Sequence, residues 1–358
     1  MSDDATDYLD RLCDFAVKHN AEDLFFKAGE SAHLRIDGEI QSIDEYKLTN
    51  GDLGEFWERC GQDPSTVQDH DMSWASNDGH RFRVNLFKQL GRLGAALRPI
   101  KTDILPLENT GAPADRLKDW CARPSGIVIV TGGTGSGKST TLAACLEWIN
   151  QTFPKHIVSI EDPIEYLLKS NRCVVTQREV GSDTPSFLTG MRSALRQSPD
   201  VILIGEIRDV ETARIALQAA ETGHLVLTTL HCSDVTETVE RLVALFPADE
   251  REAAMIVLSK QIIGFLCQQL LANATGGLHL VCEHLENSGA VKKWLRAGDT
   301  TKIAEFMERD TDAQNWLFIQ SIVYAFRQGL LTEEVARAAC KDPNQFDRIK
   351  LGVTGGAR

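Results

Sequence analysis

Eight consecutive residues, Gly132-Gly133-Thr134-Gly135-Ser136-Gly137-Lys138-Ser139, match the pattern G-x-x-x-x-G-K-[ST]. They follow an apolar run at residues 127–131 and precede a stretch of helical periodicity, the setting that this loop requires. Glycines let successive backbone N–H groups curl around a phosphate, and a helix start adds partial positive charge. The pattern assigns Gly133, Thr134, Gly135, Ser136, Gly137, Lys138, Ser139 and Thr140 to nucleotide binding. Lys138 is expected to reach the β- and γ-phosphates and the Ser139 hydroxyl to ligate Mg²⁺, which makes ATP and Mg²⁺ the expected cofactors. A chance glycine-rich turn would lack the flanking strand and helix.

Two acidic stretches complement the loop. Val201-Ile202-Leu203-Ile204 ends in Gly205-Glu206, with glycine where a metal-holding Asp usually stands. The metal-side carboxylates are then expected from Ile160-Glu161-Asp162-Pro163-Ile164-Glu165, at the end of another apolar run. Ser139, Glu161 and Asp162 form the expected Mg²⁺ set. Glu161 can polarise the attacking water as general base, and Glu206 can orient a water or act from behind. The plain alternative for such acids is a solvated face. A proline straight after the Glu161-Asp162 pair favours a fixed place at a strand end. Thr222-Gly223-His224 and Thr229-Leu230-His231 flank a further apolar run, with the histidines seven positions apart. Alternation by two puts them on opposite faces of a regular strand, so they do not read as a metal pair. A histidine beside a γ-phosphate could sense it; otherwise a lone histidine is more often a satisfied polar residue.

The elements that must carry these groups can be read from periodicity. Apolar runs at 126–131, 156–160, 201–204 and 225–230 alternate with helical stretches at 139–151, 185–197, 210–221 and 236–245. This predicts an α/β core over residues 116–290 with a parallel sheet covered on both faces. Upstream, Leu9, Leu12, Phe15 and Ala16 share a predicted helical face, and strand-like runs follow at 23–27, 33–36 and 39–40 around an Asp37-Gly38 turn. Residues 80–98 read as strands turning near Gly91. Together they predict a small α+β domain over 1–100 and a Pro/Gly-marked linker over 101–115. From 291 to 358 the sequence predicts helices at 300–307, 314–328 and 332–340, with Gly329 as a C-cap. No internal repeat is evident.

Composition narrows the class. The chain has 358 residues, 25% of them charged, and a net charge of −13, which argues against non-specific coating of nucleic acid. No run of about 18 apolar residues is present and the acidic N-terminus lacks a signal-peptide pattern, so a cytoplasmic protein is expected. Nine scattered cysteines without a CxxC pair predict free thiols and no zinc site.

Residues 132–141, 160–165, 199–209 (PDVILIGEIRD) and 222–231 (TGHLVLTTLH) resemble the Walker A, Asp box, Walker B and His box of the secretion ATPase superfamily. The glycine before Glu206 is typical of that superfamily. The chain is most similar to its pilus-retraction branch, the PilT-type ATPases, through residues 21–40, 81–100 and 332–346 as well. The resemblance implies a RecA-like P-loop core, a PAS-like N-terminal α+β domain and a C-terminal helical tail. It implies a homohexamer with nucleotide at subunit interfaces, peripheral to the inner membrane on its cytoplasmic side, and acting on a pilus platform protein. A paralogous retraction ATPase is an implied further partner, and nucleic acid is not. Arg81, Arg83 and Arg98 match positions that supply arginines to the γ-phosphate. Glu161 is implied as general base, Glu206 as supporting acid, His231 as a catalytic group and His224 as a nucleotide contact. The implied function is an Mg-ATP-driven motor for pilus retraction and twitching motility. Residues 290–297 (AVKKWLRA) stand where that branch carries AIRNLIRE, and Gln268-Gln269-Leu270 and Gly276-Gly277-Leu278 also depart from it. These departures leave room for an accessory PilU-like or weakly active ring subunit, or another secretion-system ATPase. An assembly-type motor often carries a four-cysteine metal insertion near residues 266–281, where this chain has only Cys267, with Cys282 just beyond.

Overall fold

The computed structural model describes residues 2–309 and 315–350. The chain divides into two compact units. One comprises Met1–Thr102 with Pro163–Leu167, the other Asp103–Asp162 with Leu168–Arg358.

The first unit opens with α1 (Ser2–Lys18), which buries Leu9, Leu12, Cys13 and Ala16. Phe15, expected on that face, is 40% exposed and stacks on His19. At about 100° per residue it lies roughly 120° round from Leu9, on the flank of the stripe. Next come β1 (Asp23–Lys27), β2 (Ser31–Ile36), β3 (Glu39–Lys47), α2 (Asn50–Arg59), β4 (Asp69–Ala75), β5 (Arg81–Gln89) and β6 (Arg92–Pro99). The strands form one antiparallel sheet in the order β3-β2-β1-β6-β5-β4. Phe82, Val84 and Leu86 alternate inward on β5, as a half-buried strand requires. Two elements had no sequence expectation. The α2 signal is diluted by Gly51 and Gly54, although Thr49 and Asp52 form a capping box and Leu53, Phe56 and Trp57 are buried. The polar β4 is an edge strand.

In the second unit α3 (Ala114–Cys121) starts inside the stretch expected as linker, with Leu117, Trp120 and Cys121 buried. The order then runs β7 (Gly126–Gly132), α4 (Lys138–Thr152), β8 (His156–Glu161), β9 (Val174–Glu179), α5 (Phe187–Ala194), β10 (Val201–Ile204), α6 (Val210–Glu221), β11 (Leu225–Leu230), α7 (Val235–Ala244) and α8 (Arg251–Gln261). The hairpin β12 (Ile262–Ala272) and β13 (Leu278–Glu286) follows, then α9 (Gly289–Ala297), α10 (Thr300–Arg309), α11 (Phe318–Arg327), α12 (Glu333–Ala339) and α13 (Pro343–Lys350). Sheet order is β13-β12-β7-β11-β10-β8-β9. All neighbours are parallel except β12 and β13, so the sheet is mixed rather than wholly parallel. The hairpin was missed because α8 runs into β12 with no turn residues between them.

The central strands β7, β10 and β11 are buried on both faces, and two apolar clusters cover them. α11, α12 and α13 gather around Ile322, Val323 and Phe346, against Leu271 and Val281 of the hairpin. Gln314, the expected start of α11, lies outside the described residues. Gly329 takes φ 73° just past α11, as expected of a C-terminal cap. All nine cysteines are free and buried. Among the described residues no helix is long and apolar enough to cross a membrane.

Candidate active site

The loop between β7 and α4 is a glycine-rich turn of the shape expected of a phosphate cradle. Gly137, at the N-cap of α4, has φ 87°, a left-handed conformation that strains any residue with a Cβ. Lys138 is buried, and its ammonium donates to Gly132 O at 2.9 Å and Gly133 O at 2.8 Å, curled over the loop it serves. Ser136 is buried within the same turn, and Ser139 and Thr140 sit in the first turn of α4. Gly133, Thr134 and Gly135 complete the turn.

The acids stand along the carboxyl edge of the sheet. β11 and β10 lie between β7 and β8, so Glu161 ends a strand about 14 Å across the sheet from β7. Its Oε1 accepts from Ser159 Oγ at 2.6 Å and Gln177 Nε2 at 3.2 Å, which fix the carboxylate. Glu206, just past β10, accepts from Arg208 Nε at 2.8 Å on one oxygen. Its other oxygen lies 3.6 Å from His231 Nε2. Arg208 also reaches Asp162 at 3.6 Å, so one cation joins the two acidic stretches. Burial first, then the Lys138 ammonium, push the His231 imidazole below its ordinary value, while Glu206 opposes them. His231 thus faces the Glu206 carboxylate and lies within the field of the Lys138 ammonium.

Close packing accounts for glycine before Glu206. Gly205 N–H donates to Ile160 O at 2.8 Å and its carbonyl accepts from Thr229 Oγ1 at 2.6 Å. A Cβ there would lie 3.3 Å from Ile160 O, slightly tighter than side chains normally pack, and 3.4 Å from Glu161 Cα, at contact distance. An aspartate at 205 would push on the strand end that carries Glu161.

His224 lies elsewhere. It precedes β11, whereas the phosphate loop lies past the other end of the sheet, about 20 Å along the strand. Its Nδ1 is 2.8 Å from Ala219 O and 3.1 Å from Thr222 Oγ1, at the end of α6. The expected nucleotide contact is therefore not brought to the P-loop of its own chain. The two histidines mark opposite ends of one strand. Arg81, Arg83 and Arg98 belong to the first unit. Register pairs Arg83 with Arg98, and Arg81 is two residues away on the same face, opposite the buried Phe82 and Val84. Arg98 Nε donates to Asp23 at 2.8 Å, and Asp23 also pairs with Arg35 at 3.1 Å. The hydrogen bond to Asp23 raises the Arg98 pKa above its ordinary value.

Three contributing residues had no site role from sequence: Arg208, Thr131, and Gln268, which stood only as a departure from the family pattern. Arg208 was visible only as part of a motif, two residues past Glu206. Thr131 is the penultimate residue of β7, and its Oγ1 accepts from Cys232 N–H at 2.9 Å, tying the loop after His231 to the P-loop strand. Gln268, opposite Gly132 on β12, donates to Thr141 Oγ1 on α4 at 2.7 Å. Among the described residues no three His, Cys, Asp or Glu side chains form a metal cage.

With this geometry in view, the family comparison is direct. Residues 92–334 match the model of the type II/IV secretion system protein family. The chain belongs to that family. It is 36% identical to the type IV pilus retraction ATPase PilT of Pseudomonas aeruginosa over 94% of this chain and 99% of that protein. It is equally 36% identical to the type IV pilus ATPase PilU of the same organism, over 98% and 93%. A crystal structure of the pilus retraction motor PilT with bound ADP superposes with a TM-score of 0.86 at 36% identity, covering 95% of this chain and 98% of that one. The ATPase DotB of Legionella pneumophila gives 0.81 at 30% identity, covering 93% and 95%. The PilT-type recognition and the fold expected from sequence agree with these matches. This secretion ATPase thus binds nucleotide and hydrolyses ATP, and its kinship is with pilus ATPases.

Proposed function

We propose that this ATPase is the motor of type IV pilus retraction, working as a homohexamer on Mg-ATP at the cytoplasmic side of the inner membrane. The observation that supports retraction is a match to PilT running through 99% of that protein's length, N-terminal domain included. The relevant partner is an inner-membrane platform protein, on which a ring of such subunits would act to depolymerise pilin.

The chemistry follows from side chains already placed. Backbone N–H groups of residues 133–139 hold the phosphates, and Lys138 moves from the Gly132 and Gly133 carbonyls to the β- and γ-oxygens. Glu161, held by the neutral donors Ser159 and Gln177, takes the proton of the attacking water. Glu206, engaged by Arg208 and facing His231, supports it and fixes the histidine. A neutral His231 donates one hydrogen bond towards charge building on the γ-phosphate. Ser139, Glu161 and Asp162 offer the hard oxygens that suit Mg²⁺, which binds through one or two carboxylates plus phosphates and needs no protein cage. Bound there, Mg²⁺ would neutralise charge on the β- and γ-phosphates. Arg81, Arg83 and Arg98 would bring positive charge to the phosphate tail from the N-terminal domain of a ring neighbour.

Deleting the gene and scoring pili tests this reading. Surplus pili that fail to retract are expected; absent pili would instead indicate an assembly motor, and unchanged pili a different secretion system. A second reading, an accessory PilU-like subunit beside a paralogous motor, draws on the equal identity to PilU and on the altered segment 290–297. Under that reading the deletion strain retains retraction until the paralogue is also removed.

A further inference from the structure

A charged network at the start of α7 uses none of the residues assigned above to hydrolysis. Asp234 caps that helix and accepts the Glu237 N–H at 2.7 Å and the Thr236 hydroxyl at 2.7 Å. Lys341, in the turn after α12, forms an ion pair with the same carboxylate. Val235 N–H donates to the buried Glu283 of β13 at 2.9 Å, and the other Glu283 oxygen accepts the Phe318 N–H of α11 at 3.4 Å. Two helix N-termini thus end on one carboxylate, and their dipoles offset the cost of burying it. Burial pushes Glu283 up to about 7, with the two backbone N–H bonds opposing. Burial also opposes ionisation of Asp234, yet the Glu237 N–H, Lys341 and Thr236 together hold it below its ordinary value.

His231 lies three residues before Asp234. The intervening loop is fixed at its near end by the Cys232–Thr131 bond and by Arg241, which donates to His231 O at 2.8 Å. Between the ends, Ser233 donates its N–H and its hydroxyl to Glu237 of α7, both at 2.6 Å, so the loop moves with the start of that helix, whose far anchors are Asp234 and Val235. Beside them is a cavity of about 660 Å³, walled by Gly133 and Ser136 of the P-loop and by Asp234, Glu283, Phe318 and Lys341. Where a cavity replaces packed side chains, polar contacts set position. An exposed ion pair contributes little to stability, but a small displacement of a group acting at a reacting phosphate can cost one or two orders of magnitude in rate.

We propose that Lys341 and Glu283 are positioning residues for His231, and that through them the C-terminal helices set the histidine's place at the γ-phosphate. The inference rests on the reading of His231 given above. Loss of the Lys341–Asp234 pair removes a tie between the C-terminal helices and the start of α7, and lowers turnover by loosening the histidine's place.

The test uses the full-length protein. Lys341→Ala and Asp234→Asn, in which asparagine keeps the helix cap, are each expected to lower kcat about 3- to 10-fold. The ADP dissociation constant, Tm and assembled mass should stay unchanged. The double variant should lose no more than either single one, and Lys341→Arg should restore the rate. Lys302→Ala, which breaks the exposed Lys302–Asp299 pair on α10, is the control and should match wild type. His231→Ala is measured in parallel. If it loses activity while Lys341→Ala runs at the wild-type rate, the positioning role is overturned and the histidine assignment stands. If His231→Ala itself runs at the wild-type rate, the histidine assignment fails and takes this inference with it. A Lys341→Ala loss that tracks a fall in Tm or in assembled mass also overturns the proposal.

Discussion

The parallel sheet has two edges, and their polar residues are used differently. At the amino edge side chains meet backbone: Asp200 accepts the His156 N–H at 2.8 Å, His156 reaches Gln197 O, and His224 bonds Ala219 O. At the carboxyl edge charges meet charges: Lys138 bears on His231, His231 faces Glu206, and Arg208 joins Glu206 to Asp162. Residue type alone does not separate the two uses. A histidine bonded to a carbonyl closes a helix end, whereas a histidine set between an ammonium and a carboxylate can respond to a third charge.

The contrast can be broken by substitution. Lys138→Ala should have the largest effect, a loss of about 10²- to 10³-fold in kcat in a steady-state phosphate-release assay. Glu161→Gln should follow at about 10²-fold, with Glu206→Gln milder, since glutamine at 206 keeps a contact to His231. The reverse order would exchange the roles of base and supporting acid. His231→Ala should cost about tenfold. The lowered imidazole pKa gives this histidine a sign: its neutral form persists further into acid than an ordinary imidazole's, so the rate should fall on the acid side and at lower pH than a free histidine would give. A pH–rate profile that loses this acid limb in His231→Ala sharpens the contrast. His224→Ala should have the smallest effect on chemistry, with kcat within about twofold of wild type in a chain acting alone. Its loss should appear in thermal unfolding, at about 1 kcal/mol for one hydrogen bond. A tenfold drop in kcat at unchanged Tm would show that the amino edge takes part in the chemistry of the assembled protein.

Much of the carboxyl edge was legible in the sequence because its groups follow buried strands. The P-loop, Glu161, Glu206 and His231 each sit just past an apolar run, and periodicity locates such ends. What stayed hidden had long-range causes. His224 shares a motif with His231, and although the two flank one apolar run, only the sheet order shows which end lies beside the P-loop. Thr131, Gln268 and Glu283 bond residues 35 to 127 positions away in sequence, on other elements, so spacing carries no sign of them. Glu283 is an acid within a buried run, where period alone predicts an apolar residue. β4 and α2 escaped for a local reason, since a polar edge strand and a glycine-diluted helix both lack a clean period.

The nine buried thiols have a practical consequence. Burial pushes Cys60 and Cys282 up to about 12 and raises Cys267 well beyond its usual range, and contact with Cys121, then burial, does the same to Cys145. All nine thiols are also shielded from solvent, so the folded chain offers little to an alkylating dye. Any signal from such a dye then counts molecules that have opened. A cysteine introduced at an exposed site, such as Leu90→Cys in the first unit, would be the dominant reactive handle with all nine natural ones left in place. Fluorophores could be mounted on this ATPase, and its movements timed during turnover, without first stripping its core of sulfur.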